Sequence, residues 1–279
     1  MEIKRILTVI EGSEQDEPLL RQALALAVRH DARLDALFVR RNAASGGDFL
    51  GDTFSTYGME TVLEALDDAA AEASVRAHEA FERVADDAPA SRLGRLAEFV
   101  GLPEAALAQE GRLSDLVVMA LPDGDSARHQ LSAIKIAACE SGRPLLLLPA
   151  GRAPDAPLDK AMIAWDGSLE ASRAVAGSLP LLEMAASVKA VHAGTDHEDA
   201  AQLSRLANYL DRHGVTASTE TLALDHRSTA RTLIEAASAA DIDFLVMGGF
   251  GAPGWQYALG RDETTALLKG TGFAILMVH

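Results

Sequence analysis

An internal repeat constrains this chain more than any other feature of its sequence. "RILTVIEGS" at 5–13 and "KAMIAWDGS" at 160–168 each contain a basic residue, a short apolar run, an acid and Gly-Ser. Two later blocks recur in the same order, "DLVVMALPDG" and "PLLLLPA" in the first half, "DFLVMGGFGA" and "AILMVH" in the second. The repeat predicts two related domains, at 1–150 and 158–279, joined through the proline-containing stretch 149–159.

Within each half, short apolar runs alternate with segments of helical periodicity. Ser168 is a predicted helix N-cap, and Pro180 is predicted to kink or split the helix that follows it. Strict alternation with near-continuous apolar strands predicts an α/β fold, a parallel sheet covered by helices on both faces. In the second half the pattern predicts strands at 161–166, 188–193, 216–224, 244–248 and 273–279, and helices at 168–185, 196–214, 228–242 and 262–270.

The first half follows the same plan with one insertion. A glycine-containing, loop-like segment at 41–60 lies between its second and third strands, and a long Ala-rich helix follows from about residue 60. The acids of this helix are interpreted as a solvated face.

Composition excludes several classes of partner. The chain has 41 acidic and 25 basic residues, a formal net charge of −16, and no run of Lys or Arg. Such a protein repels nucleic acids and anionic membrane surfaces, so neither is a predicted partner. The single cysteine, Cys139, excludes an intrachain disulfide. Because the chain also shows no signal peptide and no membrane-spanning apolar run, we expect a cytoplasmic protein.

A glycine loop and a strand-end acid suggest a binding site. "VMGGFGAPGW" at 246–255 follows an apolar strand, and Asp166 ends the first strand of the same half. Ligands of open parallel sheets bind at the carboxyl ends of strands where the strand order reverses. Bare main-chain N–H groups there can hold an anion, and the Asp166 carboxylate can bind a ribose hydroxyl, a base amine or a metal on a phosphate. Alternatively, Asp166 and Ser168 only cap the following helix.

These residues resemble the universal stress protein family, in the tandem form with two domains in one chain. The resemblance covers nearly all of 1–279, interrupted by 41–60. It implies two tandem adenine-nucleotide alpha-hydrolase-like (Rossmann-like) domains, each a five-stranded parallel sheet with helices on both faces. Nucleotide-binding members of the family bind ATP or AMP without a well-defined turnover. They carry a strand-end Asp and the pattern Gly, two residues, Gly, nine residues, Gly, then Ser or Thr.

The resemblance implies a nucleotide site in the second domain. Asp166 matches the strand-end acid, Ala193 matches the position whose backbone meets adenine, and Gly248 and Gly251 match the first two glycines. The implied ligand is ATP or AMP, with or without Mg²⁺. The implied binding residues are Ala164, Asp166, Ala193, Met247, Gly248, Gly251 and Thr264.

Both halves depart from the family's pattern. In the second half, Arg261 and Asp262 stand where the family has Gly and Ser or Thr. Asp262 puts a like charge near phosphate oxygens, whereas Arg261 could pair with a phosphate. This favours a site weakened for a triphosphate that still admits AMP or a nucleoside. In the first half the acid is Glu11, and other residues stand at the positions of the glycines after the fourth strand. We therefore predict no nucleotide there. The residues at those positions are Ala120, Leu121, Pro122 and Asp123.

Two further features concern metals and assembly. His192, His197 and His226 lie near acids, but their spacing matches no standard zinc pattern, so no metal site is predicted. The apolar segments "PLLLLP" and "AILMVH" can pair with each other in a pseudo-two-fold arrangement. A monomer that mimics a dimer and a homodimer of such chains both remain open.

The leading hypothesis is a non-enzymatic, cytoplasmic stress-response protein that binds an adenine nucleotide in its second domain. The alternative is a protein-interaction or structural module of the same fold without a nucleotide site. A hydrolase or nucleotidyl transferase is the third possibility, for which the sequence offers no catalytic base or metal cluster.

Overall fold

The computed structural model describes residues 2–40, 56–122, 127–194, 197–224, 228–250, 267–268 and 271–279. In these ranges the chain forms ten strands and seven α-helices. The elements of the first half are β1 Arg5–Ile10, α1 Asp16–Arg29, β2 Arg33–Arg40, α2 Thr56–Asp87, β3 Leu93–Val100, α3 Pro103–Glu110, β4 Leu116–Ala120, α4 Ala127–Glu140 and β5 Leu145–Leu148. Those of the second half are β6 Lys160–Ala164, α5 Leu169–Leu182, β7 Ser187–Ala193, α6 His197–Arg212, β8 Ala217–Leu222, α7 Thr229–Ala239, β9 Phe244–Gly248 and β10 Ala274–Val278.

All ten strands join in one sheet, in the order β3-β2-β1-β4-β5-β10-β9-β6-β7-β8. Pairing is parallel within each half. The two halves have the same strand order, read outward from β5 and from β10. The predicted α/β fold is confirmed, and the division at 150 and 158 stays a prediction, although it falls between β5 and β6.

Both faces of the sheet are buried. Successive strand residues alternate between two hydrophobic clusters, one on each face of the sheet. Ile6 and Ile163 belong to the cluster that includes residues of α1, α2, α5 and α6. Leu7 and Met162 belong to the cluster that includes residues of α3, α4 and α7. Helices therefore cover both faces, because a parallel sheet of this apolar composition must be shielded from water on each side.

The halves meet through β5 and β10, which pair antiparallel with Leu146 opposite Leu276. The side chains of both residues are inaccessible to solvent. The pairing predicted between "PLLLLP" and "AILMVH" is therefore present within one chain. It leaves β3 and β8 as the outer strands of the sheet.

Each half also fixes the start of its first strand with a carboxylate. Asp115 Oδ2 accepts hydrogen bonds from the main-chain N–H groups of Lys4 and Arg5, at 2.9 and 3.0 Å. Asp243 Oδ2 accepts the corresponding bonds from Asp159 and Lys160, both at 2.8 Å. We call these two contacts the strand clamps. They tie β4 to β1 and β9 to β6.

The predicted elements of the second half are largely confirmed. Ser168 caps α5, since its Oγ accepts a hydrogen bond from the Ala171 N–H at 3.1 Å. Of the two outcomes predicted at Pro180, the split is wrong, because α5 continues through Pro180 and ends at Leu182, and the kink stays a prediction. Pro180 is buried and lies within the last turn, where its missing N–H removes one intrahelical hydrogen bond, the one to the Ala176 carbonyl. The helix predicted at 262–270 lies outside the described residues except at 267–268, which are helical.

The predicted loop at 41–60 lies outside the described residues up to 55, and α2 begins at Thr56. None of the helices in the described ranges carries an apolar stretch sufficient to span a bilayer.

Candidate functional site

The candidate site lies at the edge of the sheet where β6, β7 and β9 end, at Ala164, Ala193 and Gly248. These strands are parallel neighbours in the order β9-β6-β7, so their carboxyl ends share one edge. The chain leaves β6 toward β7 and later returns to β9 on the other side, so the strand order reverses between β6 and β9. Continuing the pairing of Ala164 with Val191 by two positions puts Asp166 level with Ala193. Open parallel sheets bind ligands at such a point.

Asp166 is half-buried at this edge. Its Oδ1 accepts a hydrogen bond from the Ser168 N–H at 3.0 Å. Within the described residues, Oδ2 accepts no hydrogen bond from the protein. Ser168 caps α5, whereas Asp166 stabilises the turn before it. One carboxylate oxygen therefore remains available to a donor group at the edge.

The turn after Asp166 favours glycine. Gly167 has φ +75°, and a Cβ there would lie 2.4 Å from Oε1 of Gln202 on α6. The positive φ strains any residue that carries a side chain, and a Cβ here would also have to displace the flexible end of Gln202. The turn therefore holds Asp166 at the end of β6.

Gly248 has a packing requirement that is independent of any ligand. A Cβ at this position would lie 2.7 Å from the Ala171 N and 2.8 Å from the Glu170 Cβ. The first turn of α5 thus packs directly on the end of β9. The absence of a side chain at Gly248 serves this contact, and its main chain still faces the candidate edge.

The structure brings together five of the predicted site residues. The side chains of Ala164 and Met247 are buried in the sheet, so only their main-chain atoms can serve a ligand. The sites predicted at Gly251 and Thr264, and the departures at Arg261 and Asp262, lie outside the described residues.

The three histidines do not form a described cluster. His192 Nδ1 lies 2.7 Å from the main-chain oxygen of Trp165, which follows β6. His226 and the side chain of His197 lie outside the described residues. Among the residues that the structure does describe, no group of three or more His, Cys, Asp or Glu side chains is placed to hold a metal.

In the first half, a buried carboxylate occupies the corresponding turn. Asp16, at the first position of α1, is 2% exposed. Its Oδ2 accepts hydrogen bonds from the N–H groups of Gly12 and Ser13 at 2.7 and 3.3 Å. Its Oδ1 accepts them from the Glu11 N–H at 3.2 Å and the Ser13 Oγ at 3.1 Å. Burial raises the pKa of the Asp16 carboxyl, against the opposing effect of these hydrogen bonds. The protein's own anion therefore fills this turn.

The cavity beside this turn is small, about 20 Å³, and Ala120 and Gln130 are among its lining residues. A cavity of this volume holds a water molecule. Gln130 Nε2 also donates to Glu11 Oε2 at 3.3 Å. That the first half binds no nucleotide stays a prediction.

Sequence reasoning missed Asp16. The repeat offset places Asp16 opposite Ala171, so "EGSEQD" in the first half corresponds to "DGSLEA" in the second. The extra acid at the first helical position was the available signal. An acid in a first helical turn is usually an exposed dipole partner, and its burial follows only from the packing of α1.

Comparisons with known proteins agree with this architecture. Residues 2–98 match the model of the universal stress protein family, a stretch that runs from β1 through most of β3. No curated protein matches the chain in sequence. The resemblance to this family, inferred above from the sequence, is confirmed over residues 2–98 by the family match.

A universal stress protein from Archaeoglobus fulgidus DSM 4304 covers 99% of this chain and 96% of its own, with 13% identity and a TM-score of 0.70. A putative universal stress protein from Pseudomonas aeruginosa UCBPP-PA14 covers 99% and 93%, with 15% identity and a TM-score of 0.57. These two likenesses show a shared fold along the whole chain. A universal stress protein solved in complex with cAMP covers 53% of this chain and 98% of its own, with 17% identity and a TM-score of 0.32.

Proposed function

We propose that this chain is a non-enzymatic, cytoplasmic stress-response protein that binds an adenine nucleotide. The proposal starts from the match to the universal stress protein family at residues 2–98 and from the fold shared with a universal stress protein along the whole chain. The site is the edge formed by the ends of β6, β7 and β9. The observation that carries the proposal is Asp166, which presents a carboxylate oxygen without a described protein donor at the point where the strand order reverses.

The edge offers complementary groups to a nucleoside. Asp166 Oδ2 can accept a hydrogen bond from a ribose hydroxyl or from the adenine amine. Main-chain groups at Ala193 and Gly248 flank it on the neighbouring strands, where bases and sugars can approach without meeting a large side chain. Gly251 and Thr264 are proposed phosphate contacts.

The charge pattern favours AMP over ATP with Mg²⁺. Asp262 adds a second acid to the segment that would hold the phosphates, and the chain as a whole carries a net charge of −16. Each additional phosphate charge increases this repulsion. Arg261 is the cation available to offset it, and one arginine matches one phosphate better than three.

Thermal unfolding of the full chain with excess AMP, ATP or adenosine, each with and without Mg²⁺, tests the proposal. A ligand at about 100 times its Kd adds about 2.7 kcal/mol to the free energy of unfolding. We expect the stabilisation by AMP to be lost in Asp166→Ala and weakened in Asp166→Asn, which can keep the bond to the Ser168 N–H. Glu11→Ala, at the same position of the first half, is the matched control and should leave the shift intact.

A second candidate function is a protein-interaction module without a nucleotide. The packing requirement at Gly248 favours it, because that glycine is needed even when no ligand binds. Absence of any shift at millimolar nucleotide would support this candidate over the first. Release of phosphate that disappears in Asp166→Ala would instead contradict the non-enzymatic assignment.

A further inference from the structure

A separate cleft lies between α1 and the segment that joins the two halves. It has a volume of about 120 Å³. Leu26 of α1, Leu148 at the end of β5, and Pro157 and Leu158 of the joining segment provide apolar walls. None of its lining residues belongs to the candidate nucleotide site.

One wall of the cleft carries a buried acceptor without a partner. Gln22 on α1 is 7% exposed, and its Nε2 donates to the main-chain oxygen of Arg152 at 3.1 Å. The other amide atom, Oε1, is buried and accepts no hydrogen bond from any residue that the structure describes. A buried acceptor in this state is unfavourable, and a donor supplied by a bound molecule would satisfy it.

The joining segment supplies a positive charge, Arg152, that has no carboxylate partner among the residues described. The Arg152 guanidinium donates to the main-chain oxygens of Ala156, Pro157 and Asp243, at 3.3, 2.5 and 3.5 Å. Within the described residues it forms no ion pair. A guanidinium has five N–H donors, so these three bonds leave some of them available to a bound anion. Burial lowers the pKa of Arg152, since the charge is only partly compensated by Asp243.

The neighbouring arginine is in a different state. Arg29 also lines the cleft, but it forms an ion pair with Asp159 at 2.6 Å and donates to the main-chain oxygen of Met184 at 3.1 Å. Arg152 is therefore the cation of this cleft that an added anion would complement best. Asp155 also lines the cleft, on its exposed side, where water screens its charge.

We propose that this cleft binds a small hydroxycarboxylic acid. The carboxylate pairs with Arg152, a hydroxyl donates to Gln22 Oε1, and the hydrocarbon part contacts Leu26 and Leu158. A cavity of about 150 Å³ holds a benzene molecule, so this cleft suits a molecule of about six non-hydrogen atoms. The bound acid would join α1 of the first half to the joining segment.

Titration calorimetry on the full chain with three probes tests this proposal. Lactate carries a carboxylate, a hydroxyl and a methyl group, propanoate lacks the hydroxyl, and propane-1,2-diol lacks the carboxylate. We expect lactate to bind, and each of the other two to bind about tenfold more weakly, because each leaves one polar group of the cleft unpaired. Asp155→Asn should tighten lactate binding, because it removes a like charge.

Two variants separate the contribution of the hydroxyl contact at Gln22 from that of the carboxylate contact at Arg152. Gln22→Met keeps the length of the side chain but removes the acceptor, so it should bind lactate and propanoate equally. Arg152→Met should lose binding of both acids. Gln109→Met, on the exposed face of α3, is the matched control and should behave as the unaltered chain does. Asp166→Ala should leave lactate binding unchanged, which distinguishes this cleft from the nucleotide site.

Three results would overturn the proposal: no heat of binding with lactate at saturating concentration, equal affinity for all three probes, or full discrimination against propanoate retained in Gln22→Met. In the first case water alone occupies the cleft. The comparison of probes on the unaltered chain remains decisive even if Gln22→Met does not fold.

Discussion

Asp16 is the residue whose environment differs most from its appearance in the sequence. A carboxylate at the start of a helix is ordinarily exposed, but this one is buried and accepts hydrogen bonds from Glu11, Gly12 and Ser13. Burial and hydrogen bonding act on its pKa in opposite directions, and burial is the larger effect. The folded state therefore holds a proton at Asp16 more tightly than the unfolded chain does.

The first prediction concerns Asp16→Asn. The new amide N–H₂ would face the N–H groups of Gly12 or Ser13, which leaves buried donors unpaired. We expect a loss of about 1–3 kcal/mol in the free energy of unfolding at neutral pH, measured by urea denaturation. Because the folded-state pKa is raised, Asp16 contributes most stability below its ordinary pKa and less as the pH rises through the raised value. The difference in free energy of unfolding between the unaltered chain and Asp16→Asn should therefore increase as the pH falls from neutral toward 4.

Asp86→Asn, at an exposed position of α2, is the control and should show no such dependence on pH. If this difference decreased on acidification, the hydrogen bonds would affect the pKa of Asp16 more than burial does, and that pKa would lie below its ordinary value.

At the scale of residues, the sequence predicts the site in part. Ser168 as a cap and Asp166 at a strand end follow from local pattern, because capping and strand ends depend on a few neighbouring residues. The reason for Gly248 could not be predicted, since it depends on how closely α5 approaches β9. The same holds for Asp16, whose burial depends on the packing of α1.

At the scale of elements, the strand clamps show that the repeat extends to hydrogen bonding. Asp115 and Asp243 occupy the same position of the two halves and bind the same main-chain groups. The sequence blocks "DLVVMALPDG" and "DFLVMGGFGA" align these acids, but the apolar pattern explains only the strands that follow them. The partner of each acid lies on a strand distant in sequence, so the contact could not be predicted from local pattern.

The second prediction concerns these clamps. Asp243→Ala removes two hydrogen bonds and should lower the free energy of unfolding by about 1–2 kcal/mol in urea denaturation. Asp243→Asn should cost less, because its amide oxygen can accept both bonds. The same pair of substitutions at Asp115 should give similar values.

The two clamps share no partner, so the losses in the double variant Asp115→Ala/Asp243→Ala should add. Equal stability of the Ala and Asn variants would show that the clamps contribute nothing beyond packing.

At the scale of the whole molecule, the antiparallel pair β5–β10 turns two parallel half-sheets into one. The sequence predicts this pairing because both segments are apolar, and an apolar edge needs a partner. It does not predict the fit of individual side chains across the junction. Leu146 and Leu276 lie opposite each other and belong to the same hydrophobic cluster.

The third prediction is that these two leucines are energetically coupled. Each substitution to Ala should cost about 2–5 kcal/mol in urea denaturation, as expected for a fully buried leucine. The double variant should depart from additivity by about 0.5 kcal/mol or more, because the two side chains share one contact. Leu210 on α6, buried far from the junction, provides the control: its substitution to Ala should be additive with Leu146→Ala.

Additivity between Leu146 and Leu276 would contradict the direct contact across the junction. Unfolding in two separate steps would show that the halves are thermodynamically independent despite the continuous sheet.

The joining segment between β5 and β6 has a consequence for how this molecule can change. In an assembly of two identical chains, every substitution appears twice, once on each side of the symmetry axis. Here the two sides are encoded separately, so Glu11 and Asp166 can stand at equivalent positions of one sheet. Because one chain contains both halves, two unlike halves are always present in a one-to-one ratio. Mutation can therefore alter one half while the junction between β5 and β10 is retained.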